Sequence, residues 1–402
     1  MSGIVILGGG ECGVRAAFTA REHGYLSPIT IVSEEIGMPY ERPPLSKPDE
    51  NGGTEKSICS AGKFADKDIT LLQATEAIGL NRTNRKIVLS TGAELQYDKL
   101  LFATGAVPRK LTCLGGERAM TFRTASDATA IYAKAQQGAH VVIVGAGLIG
   151  LELAAVLIGR GVHVTVLEYA PFPLGRNVPQ PLAKRIVDRH ITEGVSIYCN
   201  AEVKHITDTH VDLVDGRSIP ADLVVAAVGV LARTDLAKVS GLETNNGICV
   251  NEMLRTSSPH IFAAGDCANV SMKGAAGQRF ETWQNAQNQG DIAGRNMTGD
   301  MAVLAGPVWF WSDQFDLGLQ AVGQTSEAPS AVRMGTDGSE VLFYLDSAGK
   351  LAGAAGLGIG NAVAKDIKLA KKLIEASVTV DAELLCDSNT NLKKLLRPAS
   401  AL

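Results

Sequence analysis

Residues 141–150 read VVIVGAGLIG, and residues 4–13 read IVILGGGECG. Each is an apolar run of strand length ending in G-x-G-x-x-G: Gly8, Gly10 and Gly13 in one, Gly145, Gly147 and Gly150 in the other. The offset that carries Gly8 onto Gly145 also carries Gly24, where the first helix should end, onto Gly161. A lone glycine motif of this kind is a weak signal. Here each copy follows a strand, Ile4 to Leu7 or Val141 to Val144, and precedes a stretch of helical periodicity. In such a unit one glycine makes the tight turn, one lets backbone approach a pyrophosphate, and one packs helix on strand, with the helix N-terminus facing the anion. A second strand follows each helix, Ile29 to Val32 or His163 to Leu167, and runs into an acid: Glu34, with Glu35 beside it, or Glu168. A carboxylate at that point accepts hydrogen bonds from a ribose diol. Two glycine-rich turns in an ordinary α/β sheet are the plain alternative; the strand and acid accompanying each favour two dinucleotide sites.

A chain of 402 residues is too long for one core, so two or three domains are expected. With 46% hydrophobic and 20% charged residues it has the balance of a globular protein, and a net charge of -4 gives no support for nucleic-acid binding. Strand-like GIVILGGG begins at residue 3, leaving no signal-peptide pattern, and a cytoplasmic location is expected. Residues 141–158 are almost entirely apolar, but Glu152, the glycines and the strand-then-helix pattern make them a buried βα unit rather than a membrane span. The seven cysteines, Cys12, Cys59, Cys113, Cys199, Cys249, Cys267 and Cys386, never fall as C-x-x-C. Scattered thiols fit a reducing compartment and argue against a zinc or iron–sulfur site, so electron transfer here would need an organic cofactor and no metal is expected.

Glu168 bears on which nucleotide binds. A carboxylate accepts from a 2′-hydroxyl and repels a 2′-phosphate, and Tyr169 and Ala170 follow it instead of an arginine. NADH is therefore expected over NADPH, with Arg176 the nearby cation that keeps NADPH open. Two dinucleotide folds in one chain suggest a flavin on one and a nicotinamide on the other, with hydride passing between them.

Beyond the fingerprints, LLFATGAVPR at 100–109 and IFAAGDCA at 261–268 resemble two further landmarks of the glutathione reductase superfamily of flavoprotein reductases. Within it, PYERPPLSK at 39–47, ETWQNAQNQG at 281–290 and VWFWSDQ at 308–314 are similar to the FAD-dependent ferredoxin reductases of bacterial oxygenase systems, the putidaredoxin reductase and biphenyl dioxygenase reductase type. The resemblance covers essentially the whole chain, with its motifs in the expected order. It implies FAD on the first fold, at Gly8, Gly10, Gly13, Glu34, Arg42 and Lys47. Ala103, Thr104, Gly105 and Arg109 would join them, with Gly265 and Asp266 at the ribityl-pyrophosphate region and backbone near Trp283 at the isoalloxazine. It implies NADH on the second fold, at Gly145, Gly147, Ile149, Gly150, Glu168, Arg176 and Gly229.

The catalytic positions implied by the resemblance are Lys47, Glu152 and Trp311. Glu152 would face the nicotinamide and pair with Lys47, and Trp311 would lie near flavin and nicotinamide as cover and electron path. Taken alone, Arg42 and Lys47 around Pro43 and Pro44 read as a solvated turn, and Glu152 reads as an ordinary helix-surface acid. Period-2 geometry puts Trp309 and Trp311 on one strand face and Phe310 on the other, an arrangement more often core than conduit.

Disulfide reductases of the superfamily carry a cysteine pair at the flavin, and related peroxidases and coenzyme A disulfide reductases a single one a few tens of residues after the first fingerprint. That window here, MPYERPPLSK at 38–47, has no thiol, and Cys12 inside the first fingerprint reads as packing. None of the seven histidines accompanies a motif, and hydride transfer to a flavin needs stacking and orientation rather than a general base. The expected activity is therefore NADH-dependent reduction of a [2Fe-2S] ferredoxin that supplies an oxygenase. The alternatives are a rubredoxin reductase, an NADH oxidase or disulfide reductase, and a redox-sensing flavoprotein of apoptosis-inducing-factor type.

The expected architecture is α/β: two Rossmann-like dinucleotide-binding domains of the glutathione reductase type plus a C-terminal α+β domain. The FAD domain would be discontinuous, 1–107 and 233–305, the NAD domain 108–232, and the C-terminal reductase domain 306–402. In the last, EVLFYLD at 340–346 precedes the turn SAGK at 347–350, and a closing helix from about Asn361 carries Lys365, Lys368, Lys371 and Lys372. With Lys393, Lys394 and Arg397 these lysines read first as a solvated face and second as a dock for an acidic ferredoxin. A monomer or weak homodimer is expected.

Overall fold

Gly3–Leu7 is buried along its whole length, so both of its faces are covered and its sequence reads as a continuous apolar run. In the computed structural model, which describes residues 2–48, 55–175, 178–272, 277–325 and 328–396, this strand is central to a parallel sheet. The order is Ile69–Leu72, Ile29–Val32, Gly3–Leu7, Glu94–Phe102 and Ile261–Ala263, and the first half of Glu94–Phe102 continues into an antiparallel ribbon with Lys86–Leu89 and Ala77–Asn81. The chain divides into two compact units, of which the first comprises Met1–Pro44, Glu55–Val107 and Val230–Ala305.

Helix Glu11–Glu22 of this unit crosses helix Trp283–Met297 at very short range. A Cβ on Gly290 would stand 2.6 Å from the carbonyl oxygen of Cys12, and one on Gly294 would stand 2.6 Å from that of Ala16. Asp291 fastens the crossing, taking Arg15 Nη2 at 2.6 Å and the Thr19 hydroxyl at 3.0 Å.

The second unit comprises Leu45–Thr54, Pro108–Gly229 and Gly306–Leu402. Its parallel sheet runs Met120–Thr121, Leu223–Ala226, His140–Val144, His163–Leu167 and Ser196–Tyr198. Helix Leu148–Gly159 buries most of its residues, and His190, fully buried on helix Gln180–Thr192, sits with Nε2 3.0 Å from the carbonyl oxygen of Leu151 on that helix. The C-terminal part is a five-stranded antiparallel sheet in the order Trp309–Gln314, Leu317–Gly323, Leu351–Ile359, Glu340–Leu345, Ala331–Met334. Helix Ala364–Glu375 covers it with Ile367, Ala370 and Leu373. This is the expected α/β architecture with a C-terminal α+β domain.

Residues 45–48 group with the second unit, although the surrounding sequence groups with the first. Leu45 is buried, and the Tyr132 hydroxyl donates to its carbonyl at 2.8 Å, so this strap is held by the unit that contains Tyr132. No helix among the described residues is long and apolar enough to cross a membrane.

Replacing Gly294 by alanine should lower stability by about 1–3 kcal/mol through overpacking, despite alanine's better helix propensity of roughly 1 kcal/mol. Thermal unfolding reads the result, and a variant as stable as the parent would show that the two helices separate freely.

Candidate active site

The two fingerprints have the same backbone solution. Gly8 and Gly145 adopt φ of 120° and 109°, and a Cβ on either would meet the carbonyl oxygen of Ala103 at 2.1 Å or of Ala227 at 2.5 Å. A Cβ on Gly13 would stand 2.0 Å from Gly8 O, and one on Gly150 2.2 Å from Gly145 O. Gly10 and Gly147, in contrast, have nothing within 4 Å of that point. Each is the N-cap of its helix, and neither offers a side-chain cap. The result is an open approach to uncapped helix N–H groups, which suits a pyrophosphate. The offset also holds for Gly24 and Gly161, with φ of 79° and 75° past the ends of their helices.

The acids after the second strands behave differently. Glu168 accepts the N–H of Ala146, inside the fingerprint, and that of Ala170, both at 2.8 Å, so its carboxylate is fixed at the edge of the turn. Glu34 is exposed and ion-paired to Arg233, whereas Arg42 pairs with the neighbouring Glu35 at 2.7 Å, an acid that also takes the Tyr40 hydroxyl.

Other positions from the motifs line the first unit's strand ends. Ala103 N–H donates to Leu7 O at 2.8 Å, the Thr104 hydroxyl donates to Arg233 O at 2.7 Å, and Gly105 has φ of 66°. Gly265 N–H donates to Gln289 Oε1 at 2.8 Å, half-buried Asp266 receives Arg279 Nη1 on its backbone carbonyl at 3.1 Å, and Trp283 opens helix Trp283–Met297. A Cβ on Gly265 would lie 3.1 Å from that of Cys12, whose burial pushes its thiol well up from the ordinary range, in keeping with a packing role. Arg109 belongs to the second unit, where its N–H donates to Gly229 O at 2.9 Å. Ile149, on the first turn after Gly147, is 45% exposed. Arg176 and Arg397 lie outside the described residues.

A buried polar cluster in the second unit joins three separate stretches of chain. Glu152, 9% exposed, projects from helix Leu148–Gly159, and each of its oxygens takes a serine hydroxyl at 2.5 Å: Oε2 from Ser46 on the strap and Oε1 from Ser312 on strand Trp309–Gln314. The expected direct pair of Lys47 with Glu152 is not what forms. Lys47 Nζ lies 2.6 Å from Asp313 and 5.6 Å from the Trp311 ring centroid, because the strap presents Ser46 to the helix and the next side chain to the strand. Burial pushes the Glu152 carboxyl above its ordinary range, opposed by the Lys47 charge and the two hydroxyls. Trp309 and Trp311 share a face, with rings stacked at 5.1 Å.

Sequence reasoning named Lys47, Glu152 and Trp311 but missed Ser46, Ser312 and Asp313. The signal was available: each stands within two positions of a named residue inside LSK or WSD. Among the described residues no group of three or more His, Cys, Asp or Glu side chains could hold a metal ion.

Comparison with known proteins follows the same lines. The pyridine nucleotide-disulphide oxidoreductase family model matches residues 2–290, and the reductase C-terminal model matches residues 309–396. The chain is 32% identical to the ferredoxin reductase of the CYP199A2 system from Rhodopseudomonas palustris, over 99% of this chain and 100% of that one, with a TM-score of 0.91. Putidaredoxin reductase, solved in covalent complex with putidaredoxin, is 31% identical over 100% of this chain and 99% of that chain, with a TM-score of 0.90. A NAD-dependent persulfide reductase from A. fulgidus is 25% identical over 97% of this chain and 80% of that chain, with a TM-score of 0.86. The resemblance carried by the motifs is thus matched over the full length.

Because burial raises the folded-state value of Glu152, its contribution to stability is greatest below the ordinary carboxylate value of 4.5 and is lost as pH rises through the raised one. Glu152→Gln cannot ionise, so its melting temperature relative to the parent should climb as pH increases from 4.5 upward. Parallel melting curves across that range would contradict it.

Proposed function

Because this chain belongs to the pyridine nucleotide-disulphide oxidoreductase family, we propose that it is an NADH-dependent flavoprotein reductase delivering single electrons to a [2Fe-2S] ferredoxin that supplies an oxygenase. The observation that carries this reading is likeness over the entire length, C-terminal domain included, to a ferredoxin reductase and to putidaredoxin reductase. FAD, when bound, supplies the chemistry of accepting a hydride and releasing its electrons one at a time. The first fingerprint, with Gly10 open to the ligand, is the place for its pyrophosphate, and Glu34, Arg42 and Asp266 are the further residues that the family resemblance assigns to FAD.

The second fingerprint takes NADH. Gly147 admits the pyrophosphate to the helix N-terminus, and Glu168, fixed by two backbone N–H groups, accepts the ribose hydroxyl and repels a 2′-phosphate. Glu152 and Lys47 are assigned to the nicotinamide end, with Trp311, whose ring centroid lies 5.6 Å from Lys47 Nζ, as its cover. The exposed side chains of Lys365, Lys368 and Lys372 on the last long helix form a cationic face suited to an acidic carrier, where electrostatic complementarity speeds encounter.

A thiol-using reading, favoured by the persulfide reductase likeness, lacks its nucleophile. Residues 38–47 contain no cysteine, and the thiols of Cys12 and Cys267 are buried and pushed up by desolvation, which leaves little thiolate.

Steady-state NADH oxidation with cytochrome c as final acceptor tests the assignment. Turnover should be slow alone and rise steeply with a [2Fe-2S] ferredoxin; acceleration by rubredoxin alone would change the carrier, and acceleration only by oxygen or a disulfide would refute the electron-transfer reading. Gly147→Ala should keep its melting temperature, since nothing lies within 4 Å of the added Cβ. Its KM for NADH should rise about tenfold or more, because the added methyl stands where the pyrophosphate approaches. An unchanged KM would place the nucleotide elsewhere.

A further inference from the structure

Glu152 is held from two sides by groups that no part of the hydride chemistry requires. Ser46, Ser312 and Gln314 are 5%, 1% and 2% exposed, so the cluster is closed to bulk water. Gln314 Nε2 donates to Ser312 Oγ at 3.1 Å, which occupies that oxygen as an acceptor and leaves its proton for Glu152 Oε1. Donors therefore run in one direction, amide to hydroxyl to carboxylate, and the Ser46 hydroxyl meets the other oxygen. A hydroxyl stands at each oxygen, and both can donate at once only to an acceptor-only, ionised carboxylate.

The titratable groups around it come from each packed element: the charged Lys47 on the strap, the charged Asp313 on the strand, and the neutral Tyr132 on helix Ala125–Lys134, whose hydroxyl donates to Leu45 O. Lys47 has its own ion pair with Asp313, so the two hydroxyls are the groups in direct contact with the carboxylate.

We propose that Ser46 and Ser312 are positioning residues, each directing one oxygen of Glu152 and together holding that carboxylate in its charged form between strap and strand. The proposal rests on the assignment of Glu152 to the nicotinamide end. Protonating Glu152 turns one of its oxygens into a donor, so the hydroxyl facing that oxygen must reorient from donor to acceptor.

The test is a titration of the Glu152 carboxyl in the holoenzyme by 13C NMR of carboxyl-labelled glutamate, with Glu152→Gln identifying its resonance. Ser46→Ala and Ser312→Ala should each move the midpoint upward by about one pH unit or more, the tenfold change that a hydrogen bond to a charged group commonly carries. Ser312→Thr, which keeps the hydroxyl, should restore the parent midpoint. If Ser312→Ala does not fold, Ser46→Ala with the threonine variant still decides the matter. The pH profile of NADH-dependent turnover should shift with the titration. An unmoved midpoint in the alanine variants, even with reduced turnover, overturns the proposal and makes the serines packing groups. A shifted midpoint with an unchanged rate profile upholds the positioning role and removes Glu152 from the nicotinamide end.

Discussion

The carbonyl oxygen of Gly8 lies 2.0 Å from where a side chain on Gly13 would begin, and that of Gly145 lies 2.2 Å from the same point on Gly150. Helix and turn can come this close only where Cβ is missing. That approach brings each helix N-terminus over the end of its buried strand, and it leaves Gly10 and Gly147 facing open space. An anion-binding end and a path to it thus arise from the same steric constraint. The acids, the flanking strands and the further motifs are arranged around two such ends.

A second constraint is electrostatic. Glu152 sits within an apolar helix, where a bare carboxylate would be strongly unfavourable. Its two oxygens instead receive hydroxyls from residues 106 and 160 positions away, so a strap, a helix and a strand meet at one acid. This explains why residues 45–48 group with the second unit while the residues before them group with the first. The ion pair of Lys47 with Asp313 is then a local consequence of how the strap is seated.

Much of the fold was legible in the sequence. Strands Ile29–Val32 and His163–Leu167 stand where the apolar runs place them, because most of each strand is buried and its Val, Ile and Leu residues mark its extent. The tryptophan pair faces as period-2 geometry requires. Less legible were contacts between side chains remote in sequence. Glu34 and Glu35 look interchangeable in a row of letters, yet one reaches Arg233 and the other Arg42, according to which way each side chain leaves the strand end. Lys47 was named as a partner of Glu152, and a one-residue shift along the strap gave that place to Ser46.

The sequence by itself determined the internal repeat, the two dinucleotide folds, the family resemblance and the absence of a thiol between residues 38 and 47, because each of these is carried by residue identity at short, regular spacing. Only the tertiary structure decided which oxygen of Glu152 meets which hydroxyl, which acid holds Arg42, and which unit holds the strap. Hydrogen bonds and ion pairs act over about 3 Å, and chain distance carries no information about separations of that size.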